Sequence, residues 1–436
     1  MFTGVGRRVG TERLETAARS KMARRVGHGA LERGMWARSH LLKSGPRMTT
    51  IGFTFEPVSF VDLPGWAQDD HAAAFRAFQR SFRKSCECSP AAGNGDRWPG
   101  EAPPPLALSS GSEAAHMLAR GRLARAAARA FFETYFTPHR VLHGGPEGLL
   151  TGYYEPVLKG TRKPEGRFRF PIYRRPPDLV NLVEESMRGA QGTTLTHARK
   201  TENGLQPYPT RAEIESGALQ GRGLELVYVA DPVAAFFMHI QGSGRIRLPD
   251  GTAIRLSYDG KNGHPYSSIG RHLIETGQLA ADQVSLQRLT KWLKVDPHRG
   301  QKVMWHNASF VFFRELEGVQ AKTPLGAFDV PLTPGRSLAV DASVHAIGTP
   351  IYVSAPMLLH ALPGGPWRRL MIAQDVGSAI KGPERGDIFF GSGRAAGRRA
   401  GATRHAGKFI VLLPRASVAA PSARTRRGPK ALAKHE

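Results

Sequence analysis

Cysteine is scarce in this sequence. Only Cys86 and Cys88 are present, and a single residue separates them. A disulfide between such close neighbours is geometrically poor, and a metal site there would need further ligands from elsewhere in the chain. Four histidines lack metal-ligand spacing, so we expect no metal site: His239, His264, His306 and His345.

Long apolar runs are also missing. No stretch of about 18 apolar residues occurs, which excludes an ordinary transmembrane helix. The N-terminus is basic, but no apolar segment of about 7 to 15 residues follows it, so the sequence as written has no recognisable secretory signal. A folded pattern begins in MTTIGFTFEPVSFVDLPGW, which is consistent with translation starting at Met48.

Acidic residues are outnumbered by basic ones. The chain has 36 Asp and Glu against 61 Lys and Arg, and its formal charge is +25. This balance favours an anionic partner, such as nucleic acid, a membrane surface or an acidic polymer. Much of the excess lies in residues 1–48 and 415–436. Both ends lack apolar periodicity, so we predict that they are disordered and dispensable for folding.

The first folded segment is predicted to be helical. Phe75 and Phe78 follow an acid-rich start at helical spacing, which is typical of an amphipathic helix over residues 65–84. After a loop rich in Pro and Gly at 89–105, residues 112–135 are rich in Ala and Arg and predict a second helix. Its arginines suggest a nucleic-acid surface, but such a row is more often a solvated face.

From position 148 onward the pattern indicates β structure. Short alternating runs separated by turn residues favour a small barrel or sandwich over a parallel α/β sheet. The clearest hairpin has alternating apolar residues on both sides of Asp250-Gly251. Residues 267–292 return to a helical pattern, and residues 307–414 form a second β-rich block.

The stretch AQDVGSAIKGPERGDIFFGSG, residues 373–393, is the strongest candidate for chemistry. It places Asp375 and Asp387 among five glycines and between apolar runs that predict short buried strands. We therefore expect both acids at strand ends. A carboxyl there, beside glycines that let a ligand approach the backbone, is placed to face a cleft and to have a perturbed pKa. The alternative is that both acids only cap turns.

Two polar clusters are candidates for ligand contact. In the first, Thr151 precedes Tyr153 and Tyr154, which point to opposite strand faces, so that one ring can enter the core while the other stacks on a ligand. In the second, Gln241 and Ser243 follow an apolar run that we predict to be a strand. Small polar groups of this kind orient hydroxylated ligands. Either cluster could instead be a tight turn.

Six motifs in order resemble the membrane-bound lytic murein transglycosylase A family with its C-terminal three-aspartate domain: TGYYEP, HIQGSGR, YDGKNGHPYSSIG, NASFVFF, AVDASVHAIGTPIYV and AQDVGSAIKGPERGDIFFGSG. The resemblance spans residues 53–414 and leaves both basic ends outside. Val376 and Ser378 replace an expected Thr and Gly, and Ala346 replaces an expected Pro. These departures neighbour the aspartates, so they affect the expected sugar contacts more than the acids.

The resemblance implies a mainly β protein with N-terminal helices (α+β). It implies a double-psi β-barrel domain and an inserted β-barrel domain, separated by a groove. Mapped onto this sequence it implies five segments: a disordered basic N-terminal segment (1–48), the helical part of the main domain (49–156), the inserted barrel (157–273), the part of the main domain with the double-psi barrel (274–414) and a disordered basic tail (415–436).

The resemblance also implies a reaction. The family cleaves the β-1,4 bond between N-acetylmuramic acid and N-acetylglucosamine, forms a 1,6-anhydromuramoyl product and needs no metal or cofactor. Residue-by-residue matching implies that Asp387 is the catalytic acid and base, with Asp375 and Asp341 as supporting acids. The implied sugar-contacting positions are Thr151, Tyr153, Tyr154, Gln241 and Ser243. One carboxyl suffices if the muramoyl 6-hydroxyl is an internal nucleophile.

Two other classes stay open at this point. A catalytically silent peptidoglycan-binding protein on the same fold is possible because fold alone does not give function, although the presence of Asp387 argues against it. A nucleic-acid binder is suggested by charge alone, and the terminal placement of that charge argues against it. We therefore expect peptidoglycan glycan strands as the partner and no nucleic acid. The resemblance implies a periplasmic or outer-membrane-associated location.

Overall fold

The computed structural model describes residues 52–87, 114, 117–118, 121–182, 195–281, 284–361 and 365–415. The disorder expected at both ends and the loop expected at 89–105 lie outside these residues. Within the described part of the chain, eight α-helices have defined bounds: α1 (His71–Glu87), α2 (Arg125–Tyr135), α3 (Arg211–Glu213), α4 (Pro232–Gln241), α5 (Ile269–Glu275), α6 (Leu286–Val295), α7 (Pro297–Trp305) and α8 (Gly393–Ala402). None of them is long and apolar enough to span a bilayer.

Eighteen strands are described. In chain order they are β1 (Phe53–Pro57), β2 (Phe136–His143), β3 (Leu149–Glu155), β4 (Val157–Thr161), β5 (Phe170–Tyr173), β6 (Leu179–Asn181), β7 (His197–Thr201), β8 (Gly204–Gln206), β9 (Glu225–Val229), β10 (Ser243–Arg247), β11 (Ala253–Lys261), β12 (Val311–Leu316), β13 (Ser337–Val340), β14 (Pro350–Ala355), β15 (Trp367–Val376), β16 (Arg385–Ser392), β17 (Arg404–Ala406) and β18 (Lys408–Pro414).

Three predicted helices needed correction. The first begins at His71 and not near residue 65, because the Asp70 carboxylate accepts the Ala73 N–H at 3.0 Å and thereby caps the helix there. The second is interrupted: residues 114, 117 and 118 are helical, residues 121–124 are not, with Gly121 at a φ of 107°, and α2 begins at Arg125. The single helix predicted over residues 267–292 is two helices, α5 and α6, and Gly277 at a φ of 69° follows α5.

The larger sheet has nine strands in the order β1-β2-β18-β14-β15-β13-β16-β3-β17. Helices α1 and α2 cover one part of it through an aromatic cluster that includes Phe75, Phe78, Phe131 and Phe132. A second apolar cluster packs α8 against this sheet through Ala396 and Ala400. The pairings of β13 with β15 and of β16 with β3 are parallel, so chain segments far apart in sequence become neighbours.

The second sheet has six strands in the order β12-β11-β10-β4-β9-β5, and a small sheet contains β6-β7-β8. The predicted hairpin is confirmed, since β10 pairs with β11 around Gly251 at a φ of 83°. Because β12 belongs to this sheet, the sheet extends beyond the expected insert boundary at Leu273. Among the described residues the strand pairings do not close either sheet into a barrel.

The apolar run that ends at Gln241 is a helix, α4, and not the strand that we predicted. The Asp231 carboxylate accepts hydrogen bonds from the N–H groups of Val233 and Ala234 at 3.0 and 3.2 Å. Pro232 occupies the first turn, and Gly242, at a φ of 71°, ends the helix. These are the start and stop signals of a helix. They determine the structure of this run, because its hydrophobic periodicity does not distinguish a helix from a strand.

Candidate active site

Strand pairing brings residues from three of the sequence motifs into one row across the larger sheet. Thr151 in β3 is the register partner of both Asp387 in β16 and Arg404 in β17. Ala339 in β13 is the register partner of both Asp387 and Asp375. Cross-strand partners share one face of a sheet. The two acids of the glycine-rich stretch therefore face the same side, separated by the small side chain of Ala339.

Asp387 is partly buried in the third position of β16. The Thr151 hydroxyl donates a hydrogen bond to its Oδ1 at 2.8 Å. Burial raises the pKa of this carboxyl to about 6, although the charge of Arg385 and the Thr151 hydrogen bond both act to lower it. A carboxyl of this kind is poised to give and take a proton near neutral pH. Asp387 thus has the perturbed pKa that the sequence predicted.

Arg385 lies two residues before Asp387 in the same strand, and hence on the same face. Its Nη2 donates to the Thr151 hydroxyl oxygen at 2.9 Å. Its Nη1 donates to the carbonyl oxygens of Gly386 at 2.6 Å and of Leu149 at 3.3 Å. The Thr151 hydroxyl therefore accepts from the guanidinium and donates to the catalytic candidate. The sequence reading missed this residue because it began the strand at Ile388.

Asp375 lies within β15 and not in a turn. The Tyr153 hydroxyl donates to its Oδ2 at 2.8 Å, and the Val376 N–H donates to its Oδ1 at 2.9 Å. The Tyr153 ring is 9% exposed and packs against Phe389, with ring centroids 5.2 Å apart. Burial first, and then the charges of Asp375 and Asp387, raise the pKa of this tyrosine well above its usual value. Tyr153 is thus buried in a small apolar cluster on the face of the acids, while Tyr154 packs against the larger apolar cluster of the sheet, so the structure does not single out one tyrosine as the core residue.

Asp341 follows β13 and binds the loop that connects β15 to β16. It accepts hydrogen bonds from the Gly382 N–H at 2.9 Å and from the Ser343 hydroxyl at 2.7 Å, and the Lys381 ammonium lies 3.4 Å away. Burial acts to raise its pKa, but these hydrogen bonds and the Lys381 charge hold the pKa below its usual value. Asp341 therefore stays ionised and fixes the loop between the two strands that carry the other two acids.

The second polar cluster meets the first where α4 ends. The Gln241 Oε1 accepts the Tyr154 backbone N–H at 3.0 Å, so part of this side chain is used to hold β3. Tyr154 is half-buried, and its ring lies against α8 at Gly397, where an added Cβ would come within 2.9 Å of the ring. Ser243 is buried at the start of β10. The structure thus brings Gln241 beside Tyr154, one strand position from Tyr153.

Metal ligation has no support in the described ranges. Nowhere in them do three or more His, Cys, Asp or Glu side chains converge as metal ligands would. The buried histidines have other neighbours. The His345 Nε2 lies 2.7 Å from the Pro383 carbonyl oxygen, and the His239 Nδ1 lies 3.2 Å from the Arg211 guanidinium.

Comparison with known proteins gives two matching family models: the MltA specific insert domain over residues 149–314 and the 3D domain over residues 336–413. The first match ends within β12, in agreement with the extent of the six-stranded sheet. The membrane-bound lytic murein transglycosylase A of Escherichia coli K12 is 36% identical over 267 residues, which are 60% of this chain and 65% of that protein. The chain thus spans about 65% of the length of that curated relative.

Solved structures match over more of the chain. The membrane-bound lytic murein transglycosylase from Agrobacterium tumefaciens is 38% identical, with a TM-score of 0.70, covering 83% of this chain and 98% of that one. The structure of E. coli MltA with bound chitohexaose is 28% identical, with a TM-score of 0.55, covering 83% and 91%. The chain therefore belongs to the membrane-bound lytic murein transglycosylase A family.

Proposed function

We propose that this protein is a peptidoglycan lytic transglycosylase. It cleaves the β-1,4 bond between N-acetylmuramic acid and N-acetylglucosamine and leaves a 1,6-anhydromuramoyl end. The observation that carries the proposal is the Asp387 carboxyl, with a pKa of about 6, on the sheet face that also holds Thr151 and Asp375. The names of the related proteins support it.

The chemistry needs one group that is first an acid and then a base. Protonated Asp387 gives its proton to the glycosidic oxygen as the bond from the muramoyl C1 breaks. The muramoyl 6-hydroxyl oxygen then bonds to C1, and its proton goes to the Asp387 carboxylate. No water is consumed, and Asp387 ends protonated as it began. Because the nucleophile is already on the substrate, its effective concentration replaces the positioned water of ordinary glycosidases.

Asp375 and Asp341 are supporting acids in this proposal. Asp375 is fixed by Tyr153 and Val376, so its carboxylate keeps one orientation on the active face. Asp341 holds the connection between β15 and β16 and so sets the spacing of the other two acids. We further propose that the two larger sheets correspond to the double-psi and inserted β-barrels of the family, with the substrate groove between them. A periplasmic or outer-membrane-associated location belongs to the same proposal.

The substrate is proposed to be the glycan strand of peptidoglycan. E. coli MltA has been solved with chitohexaose, a β-1,4 polymer of N-acetylglucosamine. In this chain the Gln241 side chain contacts Tyr154, whose ring is half-buried, and Ser243 follows at the start of β10. These features suit a hydroxylated sugar chain.

The test is mass spectrometry of the muropeptides that the purified protein releases from sacculi. Release of 1,6-anhydro ends supports the proposal. Release of reducing ends, heavier by one water, would instead show a hydrolase. Glycan binding without any release would show a silent peptidoglycan-binding protein.

The pH dependence of turnover is a further prediction. Asp387 must be protonated to act as an acid, and the pKa of its carboxyl is about 6. We expect kcat/KM on soluble glycan strands to fall as the pH rises through about 6 and to be higher below it, as long as the fold persists. Initial rates from pH 4.5 to 8 measure this limb. A rate that instead rises through pH 6 would show that the reactive group works ionised in its first step.

Gln241→Glu should weaken binding of chito-oligosaccharide about tenfold with the fold intact. The variant keeps the oxygen that accepts the Tyr154 N–H but loses the amide NH₂ available to a sugar. Gln241→Ala, which also removes that acceptor, should lower the melting temperature as well. Calorimetric titration and thermal melts separate the two effects. Unchanged affinity in Gln241→Glu would remove this residue from the sugar site.

A further inference from the structure

The hydrogen-bond chain from Arg385 through Thr151 to Asp387 has a fixed direction. A guanidinium can only donate, so the Thr151 oxygen is the acceptor of the 2.9 Å contact. The single proton of that hydroxyl is then left for the 2.8 Å contact with the Asp387 Oδ1. Arg385 is itself held in place by the carbonyl oxygens of Gly386 and Leu149. The guanidinium thereby fixes the rotamer of the Thr151 hydroxyl proton, which points to the Asp387 carboxyl.

We propose that Arg385 is a positioning residue for the transglycosylase reaction. Through Thr151, Arg385 sets both the orientation and the acidity of Asp387. This inference rests on the proposed function for its catalytic meaning. The hydrogen bond occupies Oδ1 and leaves Oδ2 as the oxygen that carries the mobile proton to the substrate. Arg385 also stabilises the carboxylate that forms once the leaving oxygen has been protonated, and that carboxylate is the base of the second step.

Other charged groups face this carboxyl from the neighbouring strands. On β3, the Asp387 charge acts on the Tyr153 hydroxyl. Across the sheet, Asp375 on β15 is separated from Asp387 by Ala339, and Arg404 on β17 is separated from it by Thr151. Arg404 is exposed, and its charge acts on Arg385. Arg385 differs from Arg404 because it contacts Thr151 directly, and its charge is an identified influence on Asp387. The two arginines therefore form a matched pair, equal in charge and different in contact.

The experiment compares Arg385→Met, Arg385→Lys and Arg404→Met. In Arg385→Met, the alkaline limb of kcat/KM should move up by about one pH unit, because burial of Asp387 is no longer opposed by the guanidinium and the directed hydroxyl. The plateau rate should fall by at most about tenfold, since a weaker acid transfers its proton more slowly. Arg385→Lys should restore part of the shift. Arg404→Met removes the same charge and should leave the limb within a few tenths of a unit.

A second readout needs no activity. The difference in melting temperature between a protein and the same protein with Asp387→Asn depends on pH only through the titration of Asp387. For the wild type this difference should change between about pH 4 and 6, and in the Arg385→Met background the change should continue to about pH 7. If sacculi are not cleaved by the wild type, the proposed function fails while this measurement still tests Arg385. A titration window that stays at the wild-type position, or one that Arg404→Met shifts equally, overturns the inference.

Discussion

Asp387→Asn is expected to abolish release of 1,6-anhydromuropeptides while the protein still binds glycan. The amide has nearly the volume of the carboxyl and keeps an oxygen to accept the Thr151 hydrogen bond at Oδ1. It cannot protonate the leaving oxygen, and it cannot take up the 6-hydroxyl proton afterwards. Loss of a general acid costs on the order of 10²–10⁴ in rate. The loss is larger here because the same carboxyl is needed twice in each cycle, first as the acid and then as the base. Muropeptide release from sacculi and calorimetric binding of chito-oligosaccharide measure both parts.

Asp375→Asn is the matched control. It removes one carboxylate from the same sheet face and keeps one oxygen, which can still accept the Val376 N–H, while its NH₂ replaces the oxygen that accepts from the Tyr153 hydroxyl. We expect a smaller loss of rate than in Asp387→Asn. If Asp375→Asn is inactive while Asp387→Asn retains a near wild-type rate, the acid has been assigned to the wrong aspartate.

The Asp387→Asn variant should also be more stable than the wild type above pH 6. The pKa of Asp387 is raised in the folded protein, from 3.8 to about 6, so the folded state binds the proton more tightly than the unfolded chain does. Stability from this group is full below about pH 4 and is lost as the pH rises towards 6. The shift corresponds to roughly 2–3 kcal/mol, and the amide variant does not undergo this loss. A gain that grows between pH 4 and 6 in thermal melts is the expected signature.

The two aspartates of the glycine-rich stretch were visible in the sequence because their signals are local. Glycines, apolar runs and acids lie within residues 373–393, and short-range pattern predicts strands there. The partners of Asp387 are not local. Thr151 lies 236 positions away and meets Asp387 through a parallel register that no periodicity specifies. The family resemblance pointed to Thr151 as a sugar-contacting position, but it does not show which residues Thr151 contacts in the fold.

Helix and strand were confused in the fully apolar run before Gln241, where the side chains offer no polar face to set a period. Phe236 and Met238 are buried on different sides of α4. Only the helix start at Asp231-Pro232 and the helix end at Gly242 indicate that the run is helical. The choice between Tyr153 and Tyr154 was open for a related reason. Alternation shows that the two rings lie on opposite faces, but apolar clusters cover both faces: Phe389 packs on Tyr153, and the cluster that includes Leu150 packs on Tyr154.

The extent of the second sheet could not be inferred from the sequence, because β12, its last strand in chain order, joins the sheet only after three intervening helices. β12 follows α5, α6 and α7 and pairs with β11 across a bulge between Tyr258 and Gly260. Local propensity predicts each of these elements separately. It does not indicate which sheet a returning strand will join, since that depends on contacts made across more than fifty residues of chain.

A buried ion pair joins this second sheet to the strand that carries Thr151. Glu155 ends β3, is 0% exposed, and accepts hydrogen bonds from the Arg255 guanidinium at 2.5 and 3.2 Å. Arg255 belongs to β11 of the six-stranded sheet, and the Ser392 hydroxyl at the end of β16 donates to the same carboxylate at 2.6 Å. The pair thus holds the strands that carry Thr151 and Asp387 against the neighbouring sheet.

Arg255→Met is expected to destabilise the protein by about 3–5 kcal/mol, because the Glu155 carboxylate is left buried with its main partner removed. The double variant Arg255→Met with Glu155→Gln removes both charges and should recover most of that loss. An exposed control pair exists in Arg162 and Glu315, 2.7 Å apart, where Arg162→Met should cost about 0.2–1 kcal/mol. Chemical denaturation of the four proteins measures these differences. If Arg255→Met is no less stable than Arg162→Met, or if the double variant is as unstable as Arg255→Met alone, the buried charge pair does not hold the two sheets together.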